Sequence, residues 1–233
     1  MPRPRSRVRF SSAPGLLPAH AAPRVVPSVD PWLAGEMFVS PHTEERRRGF
    51  ALLVGSEAAR RSPLTQHLLA SRVDESDLAL RAQIIQAVAD YFEVRGREYR
   101  YPPEVRAAVV AHLRKYDRPQ VLALVENWLM QRADALRPEA LGALLERVPN
   151  ASQHLTRLAG DKTIAVELRC AAVDLIGHVG FVDAAPVLDG LAARIEGRRA
   201  GQLTMLFAPP DNLDDAQLLP ALKMALRVLK DNE

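Results

Sequence analysis

Apolar residues recur every three or four positions over most of the chain, and the pattern is cleanest between residues 166 and 193. Leu168, Ala172, Val173 and Ile176 fall on one side of a helix, with Arg169 just inside the run. After Gly180 the spacing repeats in Ala185, Leu188, Leu191 and Ile195, with Pro186 near the start, where a missing amide proton costs least. Two amphipathic helices joined by a turn at Gly180 are predicted. Neither can bury its apolar face alone.

The same periodicity predicts helices over 43–54, 63–73, 76–94, 104–115, 119–132, 138–148, 151–159 and 215–229. Ser62 and Pro63 are suited to open the second of these. Trp128 is in phase with Val121, Leu124, Val125 and Leu129 and reads as core. In the last helix Leu218, Leu222, Ala225, Leu226 and Leu229 form the buried face, and Pro220 moves the expected start towards Leu219. Residues 30–40 read as a short helix or hook whose Trp32, Leu33, Met37 and Phe38 cover the open end of the array. Residues 95–103 read as a polar connection, 195–202 as a basic turn and 208–215 as an acidic loop.

An arginine preceded by Leu or Val and followed by apolar residues at the third, fourth and seventh places occurs at Arg81, Arg106, Arg137 and Arg169. Intervals of this size suit repeated helix pairs. The run Leu-Arg-x-x-Ala-Val-x-x-Ile-Gly-x-x-Gly, continued by Ala-x-Pro-Val-Leu-x-x-Leu and carried by Leu168 to Leu191, resembles a HEAT repeat of the short kind also found in phycobilin lyases. The resemblance implies an all-α fold, an α-α superhelix or armadillo-like solenoid of antiparallel helix pairs. That family usually places an acid six residues before the arginine. Glu75 stands there for Arg81, and Thr163, not an acid, stands there for Arg169.

Composition agrees with stacked helices: aromatics are 5% of the 233 residues, and Ala, Leu and Val supply most apolar positions. The net charge of +3 conceals an asymmetry. Residues 1–29 carry five arginines and no acid, leaving 26 basic against 28 acidic side chains in the rest. Seven of the 18 prolines lie in the first 31 residues, so 1–29 reads as an extended or disordered arm and 30–233 as the helical repeat domain. The arm's Arg3, Arg5, Arg7 and Arg9 could capture an acidic partner, although a solvated tail or a transit peptide has the same composition. Arg95, Arg97 and Arg100, interleaved with Tyr99 and Tyr101, are the other candidate partner-binding residues, because arginine beside an aromatic suits phosphate and base stacking. The near-neutral body argues against a general nucleic-acid groove. No apolar run is long enough for a membrane span, and a single cysteine, Cys170, excludes an internal disulfide framework; a reducing cytoplasm is expected.

Catalytic and metal-binding patterns are missing from the sequence. The six histidines, His20, His42, His67, His112, His154 and His178, show no metal-ligand spacing, and there is no glycine-rich phosphate loop or serine elbow. Asp174 and His178 are one turn apart, which suits either a base with its orienting carboxylate or an exposed ion pair. No metal, catalytic residue or cofactor is therefore expected. The leading expectation is a noncatalytic scaffold or adaptor that binds a protein partner through its helices or its arm. The alternative is a nucleic-acid-binding or DNA-repair protein resembling the HEAT-like alkylpurine glycosylases, which requires an acid beside a tryptophan. Glu126 and Trp128, about 200° apart on a helix, do not meet that requirement. A bilin lyase is a third expectation, resting on repeat type alone.

Overall fold

The computed structural model describes residues 30–95, 97–131, 138–203 and 213–231. The arm, the acidic loop through residue 212 and Arg137 lie outside the described residues. The described chain is all-α apart from one two-residue hairpin, Val94–Arg95 (β1) with Glu98–Tyr99 (β2). Its helices are Pro31–Phe38 (α1), Thr43–Val54 (α2), Glu57–Arg60 (α3), Pro63–Ala70 (α4), Leu78–Ala89 (α5), Pro103–Leu113 (α6), Arg118–Gln131 (α7), Pro138–Leu145 (α8), Ala151–Gly160 (α9), Val166–Val179 (α10), Ala185–Leu203 (α11) and Leu213–Asp231 (α12).

Local chemistry sets many of these boundaries. The Asp30 carboxylate accepts from the Trp32 amide (2.9 Å) ahead of Pro31, and Asp77 accepts from Leu80 (2.8 Å), so the first turns of α1 and α5 are capped. Gly180, at φ 82°, ends α10 in the left-handed conformation and donates to the Ile176 carbonyl at 3.0 Å, as the turn expected there requires.

The helices pack in a regular order. In one series α2 touches α5, α5 touches α7, α7 touches α10 and α10 touches α12; in the other α1 touches α4 and α4 touches α6. Helix α9 packs on α7, α10 and α11, and α8 rests against α5 and α10. The stretch that is clearest in sequence, α10, is also central. Ala171, Ala172, Val173, Leu175 and Ile176 are all buried, and each large apolar side chain so placed contributes about 1.5–3 kcal/mol.

Polar side chains link consecutive members of the first series. Buried Arg46 of α2 grips Glu75 through Nε (3.0 Å) and Nη2 (2.8 Å), and Arg47 reaches Asp77 at 2.8 Å. Arg81 of α5 pairs with Glu126 of α7 at 2.7 Å, and the Trp128 indole of α7 donates to Asp174 of α10 at 3.1 Å. Glu75, which stands six before Arg81 in sequence, thus serves the arginine of the preceding helix. Arg106 lies on α6 in the other series, so its resemblance to Arg81 and Arg169 is one of sequence pattern, whereas Arg46 occupies the equivalent place on α2.

Several expectations are corrected. Trp32 and Leu33 are 71% and 56% exposed, because α1 turns Ala34 and Phe38 towards α2 and Gly35 towards α4 and leaves the tryptophan outward. The helix expected over 76–94 starts at Leu78, under its Asp77 cap, and gives way after Ala89 to a 3-10 turn, Asp90–Phe92, that leads into the hairpin. The basic turn expected over 195–202 is helical as part of α11: Ile195 is fully buried, and the costs of Gly197 and Gly201, about 1 kcal/mol each, do not break a helix anchored there. Pro220 lies within α12 instead of setting its start.

One core position carries its own prediction. Asn127 on α7 is completely buried, and neither its Nδ2 nor its Oδ1 has a hydrogen-bond partner among the described residues. Asn127→Leu, of similar volume, is expected to raise stability by about 1–3 kcal/mol, visible as a higher denaturant midpoint with an unchanged slope. A lower midpoint would show that the amide contributes more than its burial costs.

Candidate functional site

Three neighbouring helices of the first series, α7, α10 and α12, present a strip that contains the sequence's clearest candidate pair. Asp174 and His178, four apart on α10, share one face of that helix. They do not form the base-and-orienter arrangement with each other. Asp174 accepts from the half-buried Trp128, and the exposed His178 lays its ring on the indole, with centroids 5.3 Å apart and planes inclined by 35°. Glu126, about 200° away on α7, is drawn to Arg81 on α5. The acid beside the tryptophan is therefore Asp174, which sequence spacing could not reveal because the two residues come from different helices.

On the far side of α10 the strip continues into a cleft of about 240 Å³ lined by Asp174, Gly177, His178, Met224, Ala225 and Val228. The helices approach closely at its floor: a Cβ added to Gly177 would stand 3.1 Å from Ala225 Cα and 3.2 Å from its Cβ. Met224 is 61% exposed and Val228 38%. Sequence reading missed both. Their signal was the i, i+4 spacing of two apolar residues lying off the stripe that faces the core.

A larger groove of about 600 Å³ runs between α11 and α12, with Asp189 and Glu196 on one wall and Lys223, Arg227 and Lys230 on the other. Lys223 spans it to reach Glu196 at 2.6 Å. A third, of about 500 Å³, borders the Arg46–Glu75 pair and is lined mostly by polar side chains. Burial opposes ionisation of Glu75, yet hydrogen bonds from Arg46, the Asp77 amide and the Ser76 hydroxyl outweigh it and hold the carboxyl below its usual range.

The candidate arginines are dispersed. Arg3, Arg5, Arg7 and Arg9 lie outside the described residues, as does the side chain of Arg95. Arg97 is exposed beside the hairpin turn. Arg100 lies 3.4 Å from Glu93, 3.9 Å from Asp90 and above the Tyr101 ring, so its charge is offset within the fold. Of the two tyrosines, Tyr101 is buried 4.9 Å from the Tyr91 ring, while Tyr99 stays partly exposed under the Arg106 guanidinium, 3.7 Å from its centroid. Burial pushes the Tyr91 hydroxyl up to about 12; it donates to the Arg60 carbonyl at 2.7 Å and remains protonated at neutral pH.

The remaining histidines are scattered. His67 and His112 stack edge to face across α4 and α6 with centroids 4.6 Å apart; burial first, then His67 and Lys115, lowers the pKa of His112. Half-buried Cys170 points its Sγ at the Gln217 carbonyl, 3.7 Å away. Among the described residues no three His, Cys, Asp or Glu side chains are placed to share a metal ion, and no helix is long and apolar enough to cross a membrane. Compared with protein-family models, curated proteins and solved structures, the chain matches none.

Proposed function

We propose that the chain is a noncatalytic, cytoplasmic scaffold, a HEAT-like superhelix of antiparallel helix pairs that holds a protein partner on the strip formed by α7, α10 and α12. The observation that carries this reading is the pairing of exposed apolar side chains with satisfied polar ones. Met224 and Val228 stand open to solvent, while the Asp174 carboxylate is engaged by Trp128 and the face of the indole is shared with His178. A surface with apolar anchors and few free reactive groups suits recognition better than chemistry. The repeat reading draws support from the order of helix contacts and from the polar links between successive members of the first series.

The test is capture of partners by the purified chain and by Met224→Asp with Val228→Asp, both at solvent-facing positions where a carboxylate remains hydrated and the fold is retained. The double variant is expected to lose a discrete partner that the parent chain retains, with its melting temperature within about 2 °C of the parent's, as surface changes rarely exceed 0.5 kcal/mol. An identical set of captured proteins would remove the strip from the account.

The second reading is also favoured by one observation: Asp174 beside Trp128 supplies the acid that a HEAT-like alkylpurine glycosylase requires. Release of bases from alkylated DNA, abolished by Asp174→Asn, would establish it in place of the scaffold.

A further inference from the structure

Independently of the partner placed on the strip of α7, α10 and α12, we infer that the α11–α12 groove is the contact through which two copies of this chain associate, the acidic wall of each meeting the basic wall of the other.

The charges of the groove are in register. Asp189 and Glu196 stand seven residues apart on α11, and Lys223 and Lys230 seven apart on α12, which is about 10 Å of helix in each case. The helices run in opposite directions and Lys223 meets Glu196 at 2.6 Å, so Asp189 comes level with Lys230. Only the first of these levels is closed within the chain. Asp189, Arg227 and Lys230 form no ion pair with any described residue, although they line one groove of about 600 Å³.

The two walls also differ in shape. At about 100° per residue, the outward side of α11 is a row of exposed small residues, Gly190, Ala193, Gly197 and Ala200, and a Cβ added at Gly190 or Gly197 would meet nothing within 4 Å. The outward side of α12 carries the long side chains of Lys223 and Arg227, both exposed. One wall offers acids with open space beside them, and the other offers cations long enough to reach across such a space.

A two-fold axis along the groove brings these unlike walls together. Rotation about it keeps each residue at its own height and exchanges the sides, so α12 of a second copy lies over α11. Lys223 and Lys230 of that copy come level with Glu196 and Asp189, and its Arg227 lies over the small row between the two acids. Asp231, on the flank of α12 away from the groove, falls on the corresponding flank of α11, where Arg194 donates from Nε to the Gly190 carbonyl at 3.2 Å. Each contact is made twice. A uniformly acidic or basic segment laid in the groove would be attracted by one wall and repelled by the other, which selects a second copy over such a partner. Exposed ion pairs contribute little singly, so the dimer is weak and sensitive to salt.

Sedimentation velocity of the full chain tests the inference. The parent is expected to be dimeric at about 100 µM in low salt and to dissociate as salt is raised. Asp189→Lys with Glu196→Lys makes both walls basic, and Lys223→Glu with Arg227→Glu and Lys230→Glu makes both acidic. Each reversed chain alone should self-associate at least about tenfold more weakly than the parent. An equimolar mixture of the two should form a dimer with one copy of each, and a chain carrying all five changes should recover the parent's dimer. Lys230→Gln, a neutral change at an exposed position, should weaken association with helicity unchanged. A parent that stays monomeric under these conditions, a dimer that either reversal or Lys230→Gln leaves intact, or folded reversed chains that fail to pair in the mixture would overturn the inference. Growth beyond two copies would do so too, since a two-fold contact is closed.

Discussion

Replacing Glu75 by alanine is expected to lower the stability of the fold by about 3–5 kcal/mol, the usual cost of removing one member of a buried ion pair. Both side chains are almost wholly out of solvent, at 8% exposure for Arg46 and 3% for Glu75. The glutamate accepts from Arg46 Nε and Nη2, from the Ser76 hydroxyl at 3.0 Å and from the Asp77 amide at 3.1 Å. Without it, Arg46 keeps its bonds to the Ser40 and Pro41 carbonyls but loses its direct ion-pair partner, with only the more distant Asp77 to offset its charge. Arg46→Met combined with Glu75→Leu should recover most of the loss, because the penalty arises from the stranded cation and not from the missing attraction. Denaturant unfolding of the three proteins checks the order. Acid should reproduce part of the effect. The folded pKa of Glu75 lies below the ordinary value of about 4.3, so its contribution is complete above that value and disappears as pH falls through the folded one. Glu75→Gln should therefore lose less stability than the parent when acidified below about pH 4. Equal acid sensitivity in both proteins would place the titrating group elsewhere.

Gly49→Ala should be nearly as damaging, although the substitution ordinarily favours a helix by about 1 kcal/mol. The added Cβ would lie 2.4 Å from the Phe38 amide nitrogen, 2.7 Å from the Ala34 carbonyl oxygen and 2.8 Å from Phe38 Cα. These are backbone atoms of α1 and cannot rotate aside. Either α1 lifts from α2, exposing Phe38 and Ala34, or both helices shift; a loss of about 3 kcal/mol is expected, the upper range for overpacking. Two other glycines set the scale. Gly177→Ala meets Ala225 at 3.1 Å and should cost less, while Gly190→Ala on α11 meets nothing within 4 Å and should stabilise by up to about 1 kcal/mol. Thermal melts of the three variants should rank Gly190→Ala above Gly177→Ala above Gly49→Ala. Any other order would mean that helix crossing distances do not govern this fold.

The helices were legible because their apolar spacing is regular: α10, its turn at Gly180 and the buried stripe of α12 lie where periodicity puts them. Periodicity failed where a tertiary contact decides. Trp32 reads as core by its chemistry, yet the close α1–α2 approach at Gly49 turns Ala34 and Phe38 inward and leaves the tryptophan outside. Ile195 carries α11 through a stretch whose glycines and arginines read as a turn. The series of arginines was half visible. Arg81 and Arg169 follow the apolar pattern, whereas Arg46 was hidden because Glu45 precedes it and a glycine, Gly49, occupies the third place after it. The candidate strip was less legible still. Spacing within one helix proposed Asp174 with His178 and separated Glu126 from Trp128, but nothing in one dimension brings Asp174 to Trp128 across 46 residues. Met224 and Val228 lie off the stripe that predicts burial, and only the placement of α10 beside them forms the cleft.

The central claim is that a protein partner rests on the strip of α7, α10 and α12, and site-specific photocross-linking tests it most directly. A benzophenone side chain at position 224 and, as a remote control, one at the exposed Glu104 of α6 would be irradiated in the chain's own cells. The account predicts a discrete cross-linked protein from position 224 and none of the same mass from position 104. The same products from both positions, or none from position 224, would contradict it.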